Sequence, residues 1–142
     1  MSPTLKPPRS ASDEAKGMRY FPRMLDKIRL YQKGELREDF HENLGKGSDE
    51  RCAGFLRVDY NTLKRLVREG KTDEEILWWC SKNCRELNEM DLLIWNSFIF
   101  KLGWNDFVSD RLNQLKAESG LSDRDDIETM ADYFEVDEGR RE

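Results

Sequence analysis

The sequence predicts an all-α protein: a single compact domain of five to six helices with an extended N-terminal arm. Apolar residues recur every three or four positions along most of the chain, which is the spacing of an amphipathic helix. Alternation of apolar and polar residues, which is typical of a strand, never runs beyond a few positions. The pairs Asn-Gly and Asp-Gly, which favour tight hairpins, do not occur in the sequence.

Size and composition support one folded domain. The 142 residues include seven Phe, four Trp and four Tyr, and this much large apolar surface argues against disorder. The net charge at pH 7 is −5, whereas proteins that bind nucleic acid usually carry a basic surface. Nucleic acid is therefore not expected as a partner. A protein or a small anionic ligand is expected instead.

The cysteine count and the hydropathy pattern indicate a cytoplasmic protein. Three cysteines is an odd number, and the first residues lack the apolar run of a secretory signal. The most apolar stretch, residues 90–104, is interrupted by polar side chains and is shorter than the roughly 20 apolar residues that span a bilayer. We expect a reduced, soluble protein without membrane association.

Proline and apolar content set the domain boundaries. Residues 1–18 contain three of the four prolines and few large aliphatic side chains, which predicts a flexible or extended arm outside the core. The helical domain is expected over residues 19–136. The polar residues 137–142 are predicted to form a frayed tail.

The first helix and the segment that follows it have contrasting patterns. A helix is predicted over Pro22–Lys33, because proline is tolerated in a first turn and Gly34 interrupts the apolar spacing. Residues 35–50 contain two glycines and no periodicity, so they are predicted to form a long loop, and such loops are often functional. Cys52–Leu56 is compatible with a short helical turn, and Phe55–Tyr60 is the one place for a short strand.

Capping residues mark the starts of the next helices. Asp59 precedes a helical pattern that ends at Gly70. Thr72 and Glu75 have the spacing of a capping box, in which each side chain bonds the backbone N–H of the other. Asn88 is predicted to cap the helix after that.

The helix over Glu89–Leu102 is apolar on nearly its whole circumference, which predicts a central, buried position. Asn105 is predicted to cap the following helix, with Trp104 and Phe107 on its apolar face. Residues 122–126 include three aspartates and are predicted to begin the last helix, because negative charge is favourable at a helix N-terminus.

The predicted Pro22–Lys33 helix carries a cluster of charged side chains. Arg23 and Lys27 lie four residues apart, and Asp26 lies three residues from Arg23 and from Arg29. Such a cluster suits a phosphate, a carboxylate or an acidic partner surface. A solvated helix face with weak intrahelical pairs would give the same pattern.

The segment from His41 to Tyr60 supplies further candidate binding residues. His41 is the only histidine and lies near Asn43; it is a candidate base or ligand, or a structural side chain. Cys52 would be a nucleophile only if a positive neighbour lowered its pKa, and free cysteines are commonly buried and inert. Arg57 and Tyr60 are candidates for the border of the same site.

A metal site is formally conceivable but is not expected. Cys80 and Cys84 lie four residues apart, and with Cys52 and His41 they would make three sulfur ligands and one nitrogen ligand. Structural zinc sites usually use two paired sets of ligands on turns, whereas Cys80 and Cys84 lie in a helical pattern. No phosphate-binding loop or nucleophile motif occurs, so no cofactor, metal or catalytic residue is assigned.

The four tryptophans, Trp78, Trp79, Trp95 and Trp104, are predicted to serve the core, although the adjacent pair leaves room for one exposed ring. Trp78 and Trp79 point about 100° apart around a helix, so one of them is expected to be exposed. An exposed tryptophan would indicate a surface that meets a partner.

Several motifs resemble those of a known family. The most specific is Phe21-Pro-Arg-Met-Leu-Asp-Lys-Ile-Arg29, and the others are Arg51-Cys52, Phe55-Leu56, Asp73-Glu-Glu-Ile76 and Trp95-Asn96. They are similar to an uncharacterised bacterial family that is catalogued only as a domain of unknown function, over roughly Leu5 to Gly139. The resemblance implies a small stand-alone cytoplasmic protein and brings no activity, cofactor or site residue. The family often has proline after Arg9-Ser10, where this chain has Ala11.

These observations lead to two hypotheses of function. The first is a non-enzymatic binding or interaction module that uses the Pro22–Lys33 helix and residues 35–50. The alternative is a small-molecule enzyme or ligand sensor with a pocket formed by Asp26, Lys27, His41 and Cys52. The first is preferred, because charged residues cluster beside a long segment and no complete catalytic set is present.

Overall fold

The computed structural model describes residues 4–142 and is predominantly helical, as the sequence predicts. Within these residues it contains seven α-helices, a 3-10 helix and one two-stranded sheet, so the expected five to six helices is too low. The strands are β1 (Glu14–Ala15) and β2 (Met18–Arg19). The helices are α1 (Phe21–Gln32), the 3-10 helix (Glu38–Asn43), α2 (Ser48–Leu56), α3 (Tyr60–Arg68), α4 (Asp73–Asn83), α5 (Glu89–Lys101), α6 (Ser109–Glu118) and α7 (Met130–Asp137).

The chain forms two compact units, whereas the sequence predicts one domain. The first unit ends at Leu92, and the second spans Leu93–Glu142, so the boundary falls inside α5. Each unit has its own buried apolar residues. No helix among residues 4–142 has the length and apolar character needed to cross a membrane.

The N-terminal segment is part of the first unit's core, which differs from the arm expected over residues 1–18. Residues 1–3 of that predicted arm lie outside the described part of the chain. Strands β1 and β2 pair antiparallel, and Ala15 and Met18 are buried. The turn between them is Lys16-Gly17, with φ values of 46° and 83°. A Lys-Gly pair therefore provides the two positive φ values for which Asn-Gly is the usual signal.

The predicted long loop at residues 35–50 is wrong, because most of these residues are helical. The 3-10 helix occupies Glu38–Asn43, and α2 begins at Ser48, four residues before the helical turn expected at Cys52. Leu36 is buried and forms a parallel bridge with Lys6 of the N-terminal segment. The short pieces of helix have too few turns to produce a periodic sequence pattern.

The capping predictions for α3, α4 and α5 are confirmed. Asp59 accepts a hydrogen bond of 2.7 Å from the N–H of Asn61. Thr72 and Glu75 form both bonds of the capping box, at 3.1 and 3.0 Å. The Asn88 side chain accepts from the N–H of Asp91 at 2.8 Å. Residues 55–60 form no strand, because α2 ends there and α3 begins at Tyr60.

Helix α5 is not buried on all sides, and this prediction is wrong. Its buried residues are Trp95 and Ile99, while Leu93, Ile94 and Phe100 are exposed. A helix that is apolar all round is enclosed only where one large core surrounds it. In this chain one side of α5 lies at the surface.

The second unit packs α6 and α7 around Leu112, Ile127 and Tyr133. Helix α6 begins at Ser109, later than the cap predicted at Asn105, and Phe107 is exposed instead of lying on its apolar face. The exposed Trp104 likewise departs from the expected core position.

The last helix starts at Met130, so the acidic residues 122–126 do not begin it. Thr129 and Asp132 form its capping box. The tail is tied down where fraying was expected, because Arg140 pairs with Glu138 at 2.7 Å and Arg141 pairs with Asp132 at 3.1 Å.

Candidate functional site

The predicted cationic helix face forms a buried polar cluster in the first unit. Lys27 of α1 lies 3.1 Å from Asp49 of α2, and both side chains are shielded from solvent. The Tyr20 hydroxyl donates to Asp49 at 2.7 Å and accepts from Lys27 Nζ at 3.1 Å. The N–H of Gly45 donates to the second carboxylate oxygen of Asp49 at 3.2 Å. Asp49 is therefore the centre of this cluster.

Sequence reasoning missed Asp49. An acidic residue in the first turn of a helix is common at the surface, where the helix dipole favours it. Its burial depends on Lys27, which lies 22 residues away in the sequence. The one feature of the sequence that could have drawn attention to Asp49 is its position between two glycines, Gly45 and Gly47, and Cys52.

Burial keeps two neighbours of Asp49, Cys52 and Tyr20, in their neutral forms. Burial, and then the charge of Asp49, raises the pKa of Cys52 well above its ordinary value. Burial and the same carboxylate also raise the pKa of Tyr20 well above the usual range. Neither group is ionised near neutral pH, so neither is poised as a nucleophile.

Arg23 is fully buried and bonds the backbone. Its Nη1 donates to the carbonyl of Arg9 at 3.0 Å. Its guanidinium lies 5.6 Å from the centre of the Phe40 ring, and Lys27 Nζ and the Arg37 guanidinium lie 5.8 and 4.9 Å from the same ring. One aromatic ring of the 3-10 helix is thus surrounded by three cations.

Asp26 and Arg29 belong to a second polar cluster in this unit. Arg29 pairs with Asp73 at the start of α4, and Arg9 pairs with the other carboxylate oxygen of Asp73 at 3.0 Å. Asp26 accepts from the N–H of Arg9 at 2.9 Å. These bonds connect α1 to α4 through the N-terminal segment.

The remaining predicted site residues lie apart from Asp49 or serve packing. His41 Nε2 lies 2.9 Å from the carbonyl oxygen of Leu36, and its ring meets the edge of Tyr31. Asn43 and Arg57 are exposed. The Tyr60 ring lies over Gly45, where a Cβ atom would be 2.9 Å from the ring, and burial raises the pKa of Tyr60 above its usual range.

The structure brings together two of the four residues proposed for an enzymatic pocket. Lys27 and Cys52 both lie near Asp49. Asp26 instead bonds Arg9, and His41 bonds Leu36. A role of these residues in binding stays a prediction.

Two grooves on either side of Trp78 form a separate candidate site on the first unit. Trp78 of α4 is 56% exposed, while its neighbour Trp79 is half-buried. The larger groove, of about 350 Å³, is lined by Lys16, Lys71, Glu74, Glu75, Trp78 and Trp79. The other groove, of about 260 Å³, includes Leu56, Leu77, Leu87 and Leu92 beside the same tryptophan. We call this pair the Trp78 grooves.

Cations border both grooves. Lys16 lines each of them, and Lys82 Nζ lies 5.9 Å from the centre of the Trp78 ring. Across the described residues, Lys16, Lys71 and Lys82 form no ion pair with the chain itself. Their charges are therefore available to a ligand.

Fixed side chains hold the walls of these grooves. Arg85 stacks on the Phe55 ring at 4.5 Å, donates to the Phe55 carbonyl at 2.8 Å and pairs with Asp91 at 3.1 Å. Glu75 is held by its capping bonds to Thr72, and those hydrogen bonds lower its pKa. Both walls are therefore preorganised.

The described residues contain no group of three or more His, Cys, Asp or Glu side chains placed to hold a metal ion. Cys52, Cys80 and Cys84 are free thiols. Burial, with a smaller contribution from Cys84, raises the pKa of Cys80 to about 12, which disfavours the thiolate that metals bind.

The chain belongs to the family described as a domain of unknown function (DUF5069), whose model matches residues 5–140. The resemblance drawn from the Phe21–Arg29 motif is thereby confirmed at the level of the family. Among curated proteins, a search by sequence finds no match.

Proposed function

We propose that the protein is a non-enzymatic binding module that holds an acidic peptide segment with apolar side chains in the Trp78 grooves. The observation that carries the proposal is the exposed Trp78 ring between two grooves that share Lys16. Tryptophan is among the residues that contribute most to binding at protein interfaces.

The dimensions of the grooves favour a peptide. Two concavities of about 350 and 260 Å³ lie on either side of one ring, so an extended segment can place one apolar side chain in each. In an extended chain, alternate side chains point to the same face. The leucine side chains of the second groove supply apolar contact, which such pockets need for affinity.

The charges favour an acidic segment. Among the described residues, Lys16, Lys71 and Lys82 line or border the grooves without an ion pair, and so do the acids Glu74 and Glu86, while Glu75 is engaged in its capping box. The three lysines exceed the two acids by one positive charge. A carboxylate that follows an apolar side chain would lie near one of these lysines. Attraction of this kind contributes mainly to specificity and to the rate of association.

The polar clusters around Asp49 and Asp73 have a supporting role in this proposal. The side chains of these clusters bond one another and the backbone. They thereby hold α1, α2 and α4 in position. This assignment departs from the hypothesis in which Pro22–Lys33 and residues 35–50 contact the partner. The enzymatic alternative has less support, because Asp26 bonds Arg9, His41 bonds Leu36 and Cys52 is buried.

The test is a fluorescence-polarisation titration of the full chain. One labelled peptide alternates leucine and glutamate, and a second alternates leucine and lysine. We expect saturable binding of the acidic peptide that weakens with salt, and a loss of affinity of at least about tenfold in Trp78→Ala.

The matched control is Trp104→Ala, because Trp104 has nearly the same exposure as Trp78 but lies in the second unit. It should bind the acidic peptide like the unmodified chain. Equal binding of the two peptides, or acidic-peptide binding that Trp78→Ala leaves unchanged, would reject the proposal.

A further inference from the structure

We infer that the exposed side of α5 in the second unit binds a second copy of this chain. Leu93, Ile94, Ser97 and Phe100 lie at the three- and four-residue spacing that places side chains on one side of a helix. Trp95 and Ile99 point to the opposite side and are buried. The exposed side of α5 therefore has apolar residues at the spacing that allows one helix to pack along another.

Phe107 extends this surface beyond the helix. Its ring stacks on that of Phe98 with centres 6.5 Å apart and planes at 17°. Phe98 lies one helical turn from Ile94, so the side chains are continuous. We call Leu93, Ile94, Phe98, Phe100 and Phe107 the α5 apolar face.

The exposed area suits an interface. Leu93, Ile94, Phe100 and Phe107 are 61%, 55%, 48% and 71% exposed. For side chains of this size, the four together leave on the order of 400 Å² of apolar surface open to water, within the range of the largest patches on monomers. Two such faces in contact would bury about 800 Å², less than the roughly 1,200–2,000 Å² of a stable interface, so the expected association is weak and transient.

Charge and shape favour a copy of the same chain in antiparallel orientation. The nine residues between Asp91 and Lys101 carry no charge, so the face has no ionic feature that selects a different partner. Parallel pairing would place the two Lys101 side chains together, whereas antiparallel pairing separates them and opposes the helix dipoles. The small Ser97 at the centre allows the two helices to approach closely.

Antiparallel pairing about Ser97 has a specific geometric consequence. Ile94 of one chain then lies opposite Phe100 of its copy, because both are three residues from Ser97. This relationship follows the two-fold symmetry of most homodimers, in which one patch meets the same patch on the partner.

Sedimentation velocity of the full chain, from micromolar to hundreds of micromolar concentration, tests the pairing. We expect a concentration-dependent species of twice the 16.8 kDa chain mass. Phe100→Glu should weaken the association at least about tenfold, because it places a charge in an apolar contact. Tyr31→Glu is the matched control, since Tyr31 is an aromatic residue of similar exposure in the first unit.

Cysteine cross-linking tests the orientation. A mixture of Ile94→Cys and Phe100→Cys chains should form mixed disulfides in preference to either homodimer. A monomer at every concentration, a dimer that Phe100→Glu leaves intact, or a preference for the two homodimeric disulfides would overturn the proposal. Trp78→Ala should leave the mass of the sedimenting species unchanged. A failure of this proposal can therefore be distinguished from a failure of the proposed peptide binding.

Discussion

Lys27 and Asp49, on α1 and α2, form an ion pair of 3.1 Å in the interior of the first unit. The Tyr20 hydroxyl bonds both partners, and Gly45 bonds the carboxylate from the opposite side. Each charge thus has the other as its counter-charge in the buried interior. The stability of the first unit consequently depends on the pair as a whole.

Asp49→Asn should lower the free energy of unfolding by about 3–5 kcal/mol, because it leaves the buried Lys27 ammonium without its counter-charge. Urea denaturation followed by circular dichroism measures the loss. The control is Glu50→Gln on the same helix turn, where the side chain is exposed and the change should stay within about 0.5 kcal/mol.

The double variant Lys27→Met with Asp49→Leu separates pairing from burial. The double variant should lose clearly less free energy of unfolding than the sum of the losses in Lys27→Met alone and Asp49→Leu alone, since no unpaired charge remains. Additive losses would contradict the coupling between the two residues.

The second prediction concerns the thiols. Cys52 and Cys80 are buried, whereas Cys84 is half-buried. An aromatic disulfide reagent at neutral pH should therefore label Cys84 first and reach the other two only at the rate of unfolding. Rapid labelling in a Cys84→Ser variant would show an accessible second thiol and would revive a reactive role for Cys52.

The third prediction is a loss of stability at alkaline pH. Burial raises the pKa of Cys52 in the folded state, so the unfolded chain releases this proton first as the pH rises. The contribution of this thiol to the free energy of unfolding is fully present below the ordinary thiol pKa of about 8.5 and decreases as the pH increases above it. Tyr20 adds to the fall at higher pH for the same reason.

Urea denaturation at a series of pH values measures this slope. Cys52→Ala should reduce the slope between neutral and alkaline pH, whatever its effect on stability at neutral pH. An unchanged slope in that variant would contradict the buried, protonated state of Cys52.

The fourth prediction compares Gly45 with Gly34, the glycine that follows α1. Both have positive φ, at 75° and 72°, so alanine is strained at either position. Of the two, only Gly45 would bring the added Cβ against a neighbour, the Tyr60 ring at 2.9 Å. Gly45→Ala should therefore destabilise the chain by about 1–3 kcal/mol more than Gly34→Ala. Equal losses in thermal or urea denaturation would contradict the packing of Tyr60 on this turn.

Local signals in the sequence predict the starts of α3, α4 and α5 correctly. Asp59, Thr72 and Asn88 each cap a helix through bonds that span two or three residues. Such contacts depend only on nearby residues, which is why their patterns are informative. The predominantly helical class follows from the same local evidence.

Features that depend on distant residues were not predicted. The burial of Asp49 requires Lys27 and Tyr20, and the order of residues 35–50 requires a bridge between Lys6 and Leu36. The exposure of one side of α5 depends on which residues pack against the helix, and its apolar composition does not indicate this.

The candidate site shows the same limit. The adjacent positions of Trp78 and Trp79 implied that one ring would be exposed, and the structure shows that Trp78 is the exposed one. The grooves on either side of it combine α4 with Lys16 of the hairpin turn and with leucines of other segments. These segments are brought together only by the tertiary structure, so the sequence pattern does not indicate the grooves.

The most direct test of peptide binding at the Trp78 grooves is a two-dimensional ¹⁵N NMR titration of the full chain with the acidic leucine peptide. We predict that the Trp78 indole N–H and the backbone amides of residues 16 and 71–82 shift saturably, while those of residues 22–33 and 35–50 remain in place. Shifts confined to residues 22–50, or no shift at the Trp78 indole, would contradict the assignment of the binding surface to α4.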